Sequence, residues 1–338
     1  MANAYLSANS YLGLIKEATR GTLPASGTPY YIPVTTPQIT PTQRFIRDES
    51  LRGSPVMVYD QVQGVRHDEF DFKTYLFADT FGVLMASILG GTDTVTATGA
   101  SQSHSIPLLN NVAVGSQPPS YSILDFDGAN YYTTTGSQAG DISITFGADT
   151  AADATVKFFA NPFTSYTSAP APFTSLSISN EHMIPAWDTS ITIAGTTYTN
   201  IQSGELKIDR KTQPIFTMGT QAPLYNFAGP IDVTGKFTAV VNSTSDVFST
   251  GTSATALTRS PQALVITLTD PNDITNSINH SVKFQMSSVQ FQDVKRLRGK
   301  EFTEVEVTFT ANANTTDATT GYSPITATIV NGTATAFN

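Results

Sequence analysis

The chain has 338 residues, no cysteine and a formal net charge of −9. That leaves room for one large or two medium domains and excludes a disulfide framework and thiol chemistry. An acidic chain does not grip nucleic acid by releasing counterions from phosphates, although it can surround DNA without holding it. Apolar residues make up 40% and charged residues only 13%, so a core is provided for, while the weakly charged, hydroxyl-rich surface suits either coverage in an assembly or an ordinary secreted β-protein.

Residues 1–33 start without a basic segment and apolar stretch, and no run in the chain approaches ~18 apolar residues, so the sequence predicts a cytoplasmic product with no signal peptide and no membrane anchor. These first residues read as an arm. A strand is predicted near 42–47, then a Gly-, Pro- and Arg-rich segment over 48–64, then a strand over 67–77. There the period is two: in 67–75, charged and aromatic residues alternate, giving one polar and one apolar face. The next segment changes period. Asp79 is placed to cap a helix whose apolar positions are Phe81, Leu84, Met85 and Ile88, one helical face, with Gly90 and Gly91 ending it. Strands follow near 120–126, 141–146 and 154–160.

A Ser/Thr/Ala/Pro-rich stretch, 162–176, reads as a linker. Beyond it the pattern returns: a strand at 201–210, a long segment at 211–230, a strand at 231–241, a weakly helical or loop stretch at 242–260, and strands at 263–269, 281–291 and 301–311. The endings match in kind, Val156-Lys157-Phe158-Phe159-Ala160-Asn161 against Val307-Thr308-Phe309-Thr310-Ala311-Asn312, which suggests a duplicated unit of ~150 residues. The expected organisation is an N-terminal arm 1–33, a β domain 34–161, the linker 162–176, a second β domain 177–312 and a Thr-rich C-terminal arm 313–338. The fold class is mainly antiparallel β.

Four stretches together resemble the tail-tube proteins of long-tailed, non-contractile bacteriophages: Gly13 to Thr35, with Gly13, Lys16 and Glu17 ahead of Ile32-Pro33-Val34; Ile46 to Pro55; Phe77 to Gly91; and Gly204 to Pro223. No single motif is diagnostic, because none carries chemistry; their order and spacing carry the likeness. The resemblance implies a β-sandwich or partial barrel of tail-tube type, with at most one flanking helix per unit. It also implies a structural subunit that stacks in rings to form a conduit for DNA, with loops and arms bridging the rings. Other tail proteins, such as the tape measure, terminator and distal tail protein, would be its partners in the virion tail. DNA would pass a neutral or acidic bore without specific binding, and assembly would take place in the host cytoplasm. If each half is one tube-fold unit, a ring holds three chains with pseudo-sixfold symmetry; if the halves form one unit, it holds six. The internal repeat favours three.

No catalytic, metal or cofactor site is expected. His67, His104, His182 and His280 are scattered and lack zinc-ligand spacing. Asp270-Pro271-Asn272-Asp273 lacks the ligand pattern of a calcium loop and reads as a turn. No nucleophile has an identifiable base. The only tryptophan, Trp187, reads as a packing or loop-anchoring residue rather than a sugar platform. Two charged stretches are candidate contacts between subunits or rings: Arg47, Asp48, Glu49 and Arg52 in one loop, and Lys295, Arg296, Arg298 and Lys300 at a basic hairpin tip. Asp68, Asp71, Asp209 and Asp232 are candidates for a lumen face, equally placed for an outer surface. The competing reading is another extracellular or virion β-rich protein: a surface-layer, fibre or carbohydrate-binding protein.

Overall fold

The computed structural model describes residues 5–337 except 100, 112, 114, 242–260, 276, 299 and 300; the predicted weak helix at 242–260 lies outside the described residues. The first half contributes β1 (Tyr11–Lys16), β2 (Tyr30–Ile32), β3 (Gln38–Asp48), β4 (Asp60–Tyr75), the helix α1 (Phe81–Leu89), β5 (Thr94–Thr98), β6 (Ser101–Pro107), β7 (Tyr121–Phe126), β8 (Tyr131–Gly147) and β9 (Asp153–Ala160). A short β10 (Thr164–Tyr166) comes next. The second half contributes β11 (Thr189–Ile193), β12 (Thr196–Tyr198), β13 (Ile201–Asp209), β14 (Gln213–Ile215), β15 (Tyr225–Phe227), β16 (Asp232–Val240), β17 (Gln262–Thr275), β18 (Ile278–Arg298), β19 (Thr303–Ala311) and β20 (Thr326–Asn331). The fold is mainly antiparallel β of sandwich type with one helix, as expected, and among the described residues its sheet does not close into a barrel.

The two halves carry the same order of pairings. In the first, neighbours run β2–β1–β7–β8–β9–β4–β3, all antiparallel. In the second they run β12–β11–β17–β18–β19–β16–β13, also antiparallel. The short β10 pairs with the start of β8 as β20 pairs with the early part of β18. A bulge interrupts β8 between Ala139 and Asp141, and another interrupts β18 between Phe291 and Val294. A bulge bends its strand and re-aims the residues beyond it, so both long strands turn from one set of neighbours to another at corresponding points.

The halves meet strand to strand. Beyond its bulge, β8 pairs with β9 on one side and with β13 on the other, from Ser203↔Gly147 to Asp209↔Asp141. This joins eight strands in the order β3–β4–β9–β8–β13–β16–β19–β18. One face of that sheet carries Phe70, Phe72, Val156, Phe158, Ile142, Ile144, Leu206, Ile208, Val233, Phe237, Val307 and Phe309, all essentially buried. Aromatic pairs knit it together, with Phe72 and Phe158 stacked at 6.2 Å and Phe237 and Phe309 at 5.0 Å.

The helix differs from its sequence reading in two ways. Its N-cap is Thr80, without a side-chain cap bond, while the N–H of Asp79 donates to Glu181 Oε2 at 2.8 Å. All its residues are buried, not one face alone. The reason is coverage from both sides: Phe81 meets Phe284 of β18 edge-on, and the ring of Phe337 lies where a Cβ on Gly82 would stand. Gly90 ends the helix at φ 73°, as predicted for a glycine stop.

Stretches read as arms and linker also supply core. β1 lies between β2 and β7 with Leu12 and Leu14 wholly buried. Glu17 is held inside, its carboxylate accepting from Ser120 Oγ (2.6 Å), Ser122 Oγ (2.7 Å) and the N–H groups of Gly136 (2.8 Å) and Gly21 (2.7 Å). β20 lies between β18 and β6 with Ala327 and Ile329 buried. Phe173, from the stretch read as a linker, packs with Ile15, Tyr31 and Leu124 against the backbone of Gly13, where a Cβ would come within 2.9 Å of its ring.

Candidate functional site

With one face of the eight-stranded sheet buried, strand alternation assigns the polar residues to the other. Asp71 on β4 stands opposite Lys157 on β9, Lys157 opposite Asp141 on β8, Asp141 opposite Asp209 on β13, and Asp209 opposite Asp232 on β16. Parallel to this row run Lys73, Thr155, Ser143, Lys207 and Thr234, and beyond it Asp153, Thr145, Glu205, Lys236 and Thr308.

Ion pairs cross the face between strands: Lys157–Glu69 at 2.5 Å, Lys236–Glu205 at 2.8 Å, Lys73–Asp153 at 3.1 Å, Lys207–Asp141 at 3.3 Å and Lys295–Glu306 at 3.6 Å. Ser143 Oγ donates to Glu205 at 2.9 Å and Thr145 Oγ1 to Asp153 at 2.9 Å. Burial opposes ionisation of Glu69, but Lys157 outweighs it and holds the carboxyl below its usual range; Lys157 is raised in return. A hydrogen bond from Lys236 depresses Glu205. At Asp209 burial opposes the charge, and Lys211 at 2.6 Å overcomes it. Asp71 differs: burial raises it, and neighbouring Glu69 and Asp141 add to this against the pull of Lys157. Among the described residues carboxylates outnumber lysines on this face, and Lys73, Lys157, Lys207, Lys236 and Lys295 each pair with one of them.

Of the four acidic residues singled out from sequence, Asp71, Asp209 and Asp232 share this face and Asp68 does not. Asp68 has the parity of Phe70 and Phe72 and is fully buried. It accepts from the Phe163 N–H at 2.7 Å and from Arg66 Nε at 3.3 Å. Burial with its own donors removes it from any lumen surface. Sequence reasoning missed Asp141, Lys157, Glu205, Lys207 and Lys236, although the same alternation marks them.

The candidate contact residues fall at two separate places. Arg47 and Asp48 end β3, and Glu49 and Arg52 lie in the loop to β4. Asp48 pairs with Arg52 and accepts the Ser50 N–H at 3.0 Å, while the Arg52 guanidinium lies 5.0 Å above the Tyr59 ring. Hydrogen bonds from Ser50, helped by Arg52, hold Asp48 below its usual range. The β3–β4 hairpin around them exposes Phe45, Ile46, Leu51, Val56, Met57 and Val62. Lys295, Arg296 and Arg298 are among the last strand residues of β18, paired with β19 up to Arg298↔Thr303, next to the turn of that hairpin. Lys300 lies outside the described residues. Among the described residues β3 pairs only with β4, and β18 from Val294 to Arg298 pairs only with β19, so both ends of the eight-stranded sheet are open among those residues.

Elsewhere, among the described residues no group of three or more His, Cys, Asp and Glu is placed to hold a metal. His104 is buried against Asp93 at 2.7 Å, and His280 lies 3.2 Å from Glu181. Asp270 sits in a bulge of β17, accepting the Asn272 N–H at 2.8 Å, and the strand continues beyond it instead of turning. Trp187 is 64% exposed, so it does not pack as expected; its short 3-10 helix, Ala186–Asp188, buries only Ala186.

No helix among the described residues is long and apolar enough to cross a membrane. No curated protein matches the chain. A family model described as phage tail tube protein matches residues 7–329. The chain belongs to that family and is a structural subunit of a phage tail tube, a component of the virion tail.

Proposed function

We propose that the subunit forms closed rings of three chains with pseudo-sixfold symmetry, that the rings stack into the tube, and that the ion-paired face of the eight-stranded sheet lines the bore. The observation that supports this most is the sheet itself. One face is a continuous apolar core, the other a continuous polar surface with excess carboxylate, and the two ends are open among the described residues. Open edges are sites of pairing, and ring closure removes them. A face whose lysines are neutralised internally, with surplus negative charge, lets duplex DNA slide without counterion-releasing contacts. Asp71, Asp209 and Asp232 are then bore residues.

In this reading the protein catalyses nothing. Head-to-tail contacts that do not close give the axial stacking, and the apolar β3–β4 hairpin with Arg47, Asp48, Glu49 and Arg52 is the natural reach toward the next ring. The tape measure, terminator and distal tail proteins are its partners in the tail, and assembly takes place in the host cytoplasm. Electron microscopy of tubes formed by the purified, concentrated chain tests the reading. The expected result is a hollow tube whose inner wall carries Asp71, Asp209 and Asp232. A tube with that face on the outside, or a chain that never forms rings or tubes, overturns it.

A further inference from the structure

The repeated pairings set up a correspondence between the two open edges. Ile142 faces Val156 as Val294 faces Val307, and Ala139 faces Phe158 as Phe291 faces Phe309, so Ile142 to Thr145 on β8 correspond to Val294 to Leu297 on β18. Phe72 faces Val156 as Phe237 faces Val307. Through those partners Gln38, Ile39, Thr40, Pro41 and Thr42 on β3 correspond to Glu205, Leu206, Lys207, Ile208 and Asp209 on β13. The first half thus uses the end of β8 to pair with β13, and the second half presents the equivalent end of β18, from Val294 to Arg298, exposed and with one side free of other strands among the described residues. The equivalent of β13 is β3, whose outer edge is free of other strands among the described residues.

We propose that the end of β18 pairs antiparallel with β3 of a second copy of this chain in the register of the β8–β13 joint: Asp293 opposite Thr42, Val294 opposite Pro41, Lys295 opposite Thr40, Arg296 opposite Ile39 and Leu297 opposite Gln38. This rests on the tube reading and specifies the contact that closes its ring. The copy of the joint is also a weakened one. Arg296 and Arg298 stand where the internal joint has buried Ile144 and Phe146. Within the internal joint, the Ala148 N–H donates to Gln202 O at 2.9 Å and the Arg210 N–H to Gly140 O at 2.8 Å. Alternation between these bonds makes Ile208–Ile142 and Gly204–Phe146 directly bonded pairs and leaves Lys207–Ser143 and Asp209–Asp141 unbonded. Pro41, and Pro37 before it, therefore occupy positions where β13 offers an N–H to β8. Prolines and inward charges are devices that blunt an edge strand. The edge is built to resist pairing singly and to accept it in the ring, where both ends of every chain engage together.

The chain has no cysteine, which makes cross-linking unambiguous. Thr40 and Lys295 would form an unbonded pair, where Cα atoms approach to ~4.5 Å, within disulfide range. Assembled tubes of the full chain carrying T40C and K295C are oxidised beside tubes carrying I39C and K295C, whose side chains would project from opposite faces. The expected result is covalent species ending at three chains for the first pair and none for the second. T42C with D293C repeats the test should the first pair fail to fold. P41I, which restores a donor, is expected to lower the concentration needed for assembly roughly fivefold. Tubes that form normally but cross-link at the shifted pair, or at neither designed pair, overturn the register and leave the tube reading standing. A parent chain that forms no ring or tube overturns both.

Discussion

The joint between β8 and β13 and the open ends at β3 and β18 are built from corresponding segments, yet they differ in what fills them. Inside the chain the joint buries Ile144 and Leu206, and the Phe146 ring lies over Gly204, where a Cβ would come within 2.4 Å. At the open ends, Arg296 and Arg298 are exposed, Ile39 is partly exposed, and prolines remove edge donors. The molecule thus keeps its stability and its reactivity in different places. Apolar burial locks the joint within the chain, and in the proposed ring charge guards the joint that forms with another chain.

Substitution at matched positions probes this contrast. Leu206→Ala, at a fully buried site, is expected to cost the isolated subunit ~2–5 kcal/mol, whereas Ile39→Ala costs less than ~1 kcal/mol and acts instead on assembly. Denaturant unfolding of both variants checks it, and equal losses would refute the division between the two joints. Next in size, replacing Arg296 and Arg298 by aspartate is expected to stop or strongly slow tube growth while subunit stability stays within ~0.5 kcal/mol, as for exposed sites generally. Normal tubes from that variant, seen by negative stain, would remove these arginines from the contact.

A pH effect comes third. Burial, helped by neighbouring Asp127, pushes the Asp125 carboxyl up to about 6. In an unfolded chain the group titrates near ~3.9, so the folded chain holds the proton more tightly. Its contribution to stability is full below that value and is lost as pH rises through about 6. Asp125→Asn is therefore expected to melt higher than the parent at pH 8 and to lose the advantage at pH 4. The smallest effect belongs to Asp48→Ala at the exposed hairpin. It removes a surface ion pair with Arg52 and is expected to change subunit stability by less than ~1 kcal/mol, which thermal melts can bound.

The strands were legible wherever polar and apolar residues alternate, as in β4, β13, β16 and β19, because period two comes from the pleat alone. Parity also held the answer for Asp68: it shares a face with Phe70 and Phe72, while Glu69, Asp71 and Lys73 share the other. What local pattern does not carry is coverage by distant residues. β20 is Thr-rich and reads as an arm, but it is buried because β18 and β6 flank it. The helix period was visible, whereas its complete burial depends on Phe284 and Phe337, far along the chain. The ion-paired face was half legible: its acidic residues could be named, but the lysines that neutralise them reach across from neighbouring strands whose pairing no local pattern states.

Ring closure through β18 and β3 is decided by a reconstruction of the assembled tube that resolves strands at the chain boundaries. Three chains are expected in each ring, each giving eight strands to the inner wall, with the end of β18 beside β3 of the next chain and Lys295 opposite Thr40. A ring of six chains, or a boundary at which β18 and β3 do not meet, would contradict this.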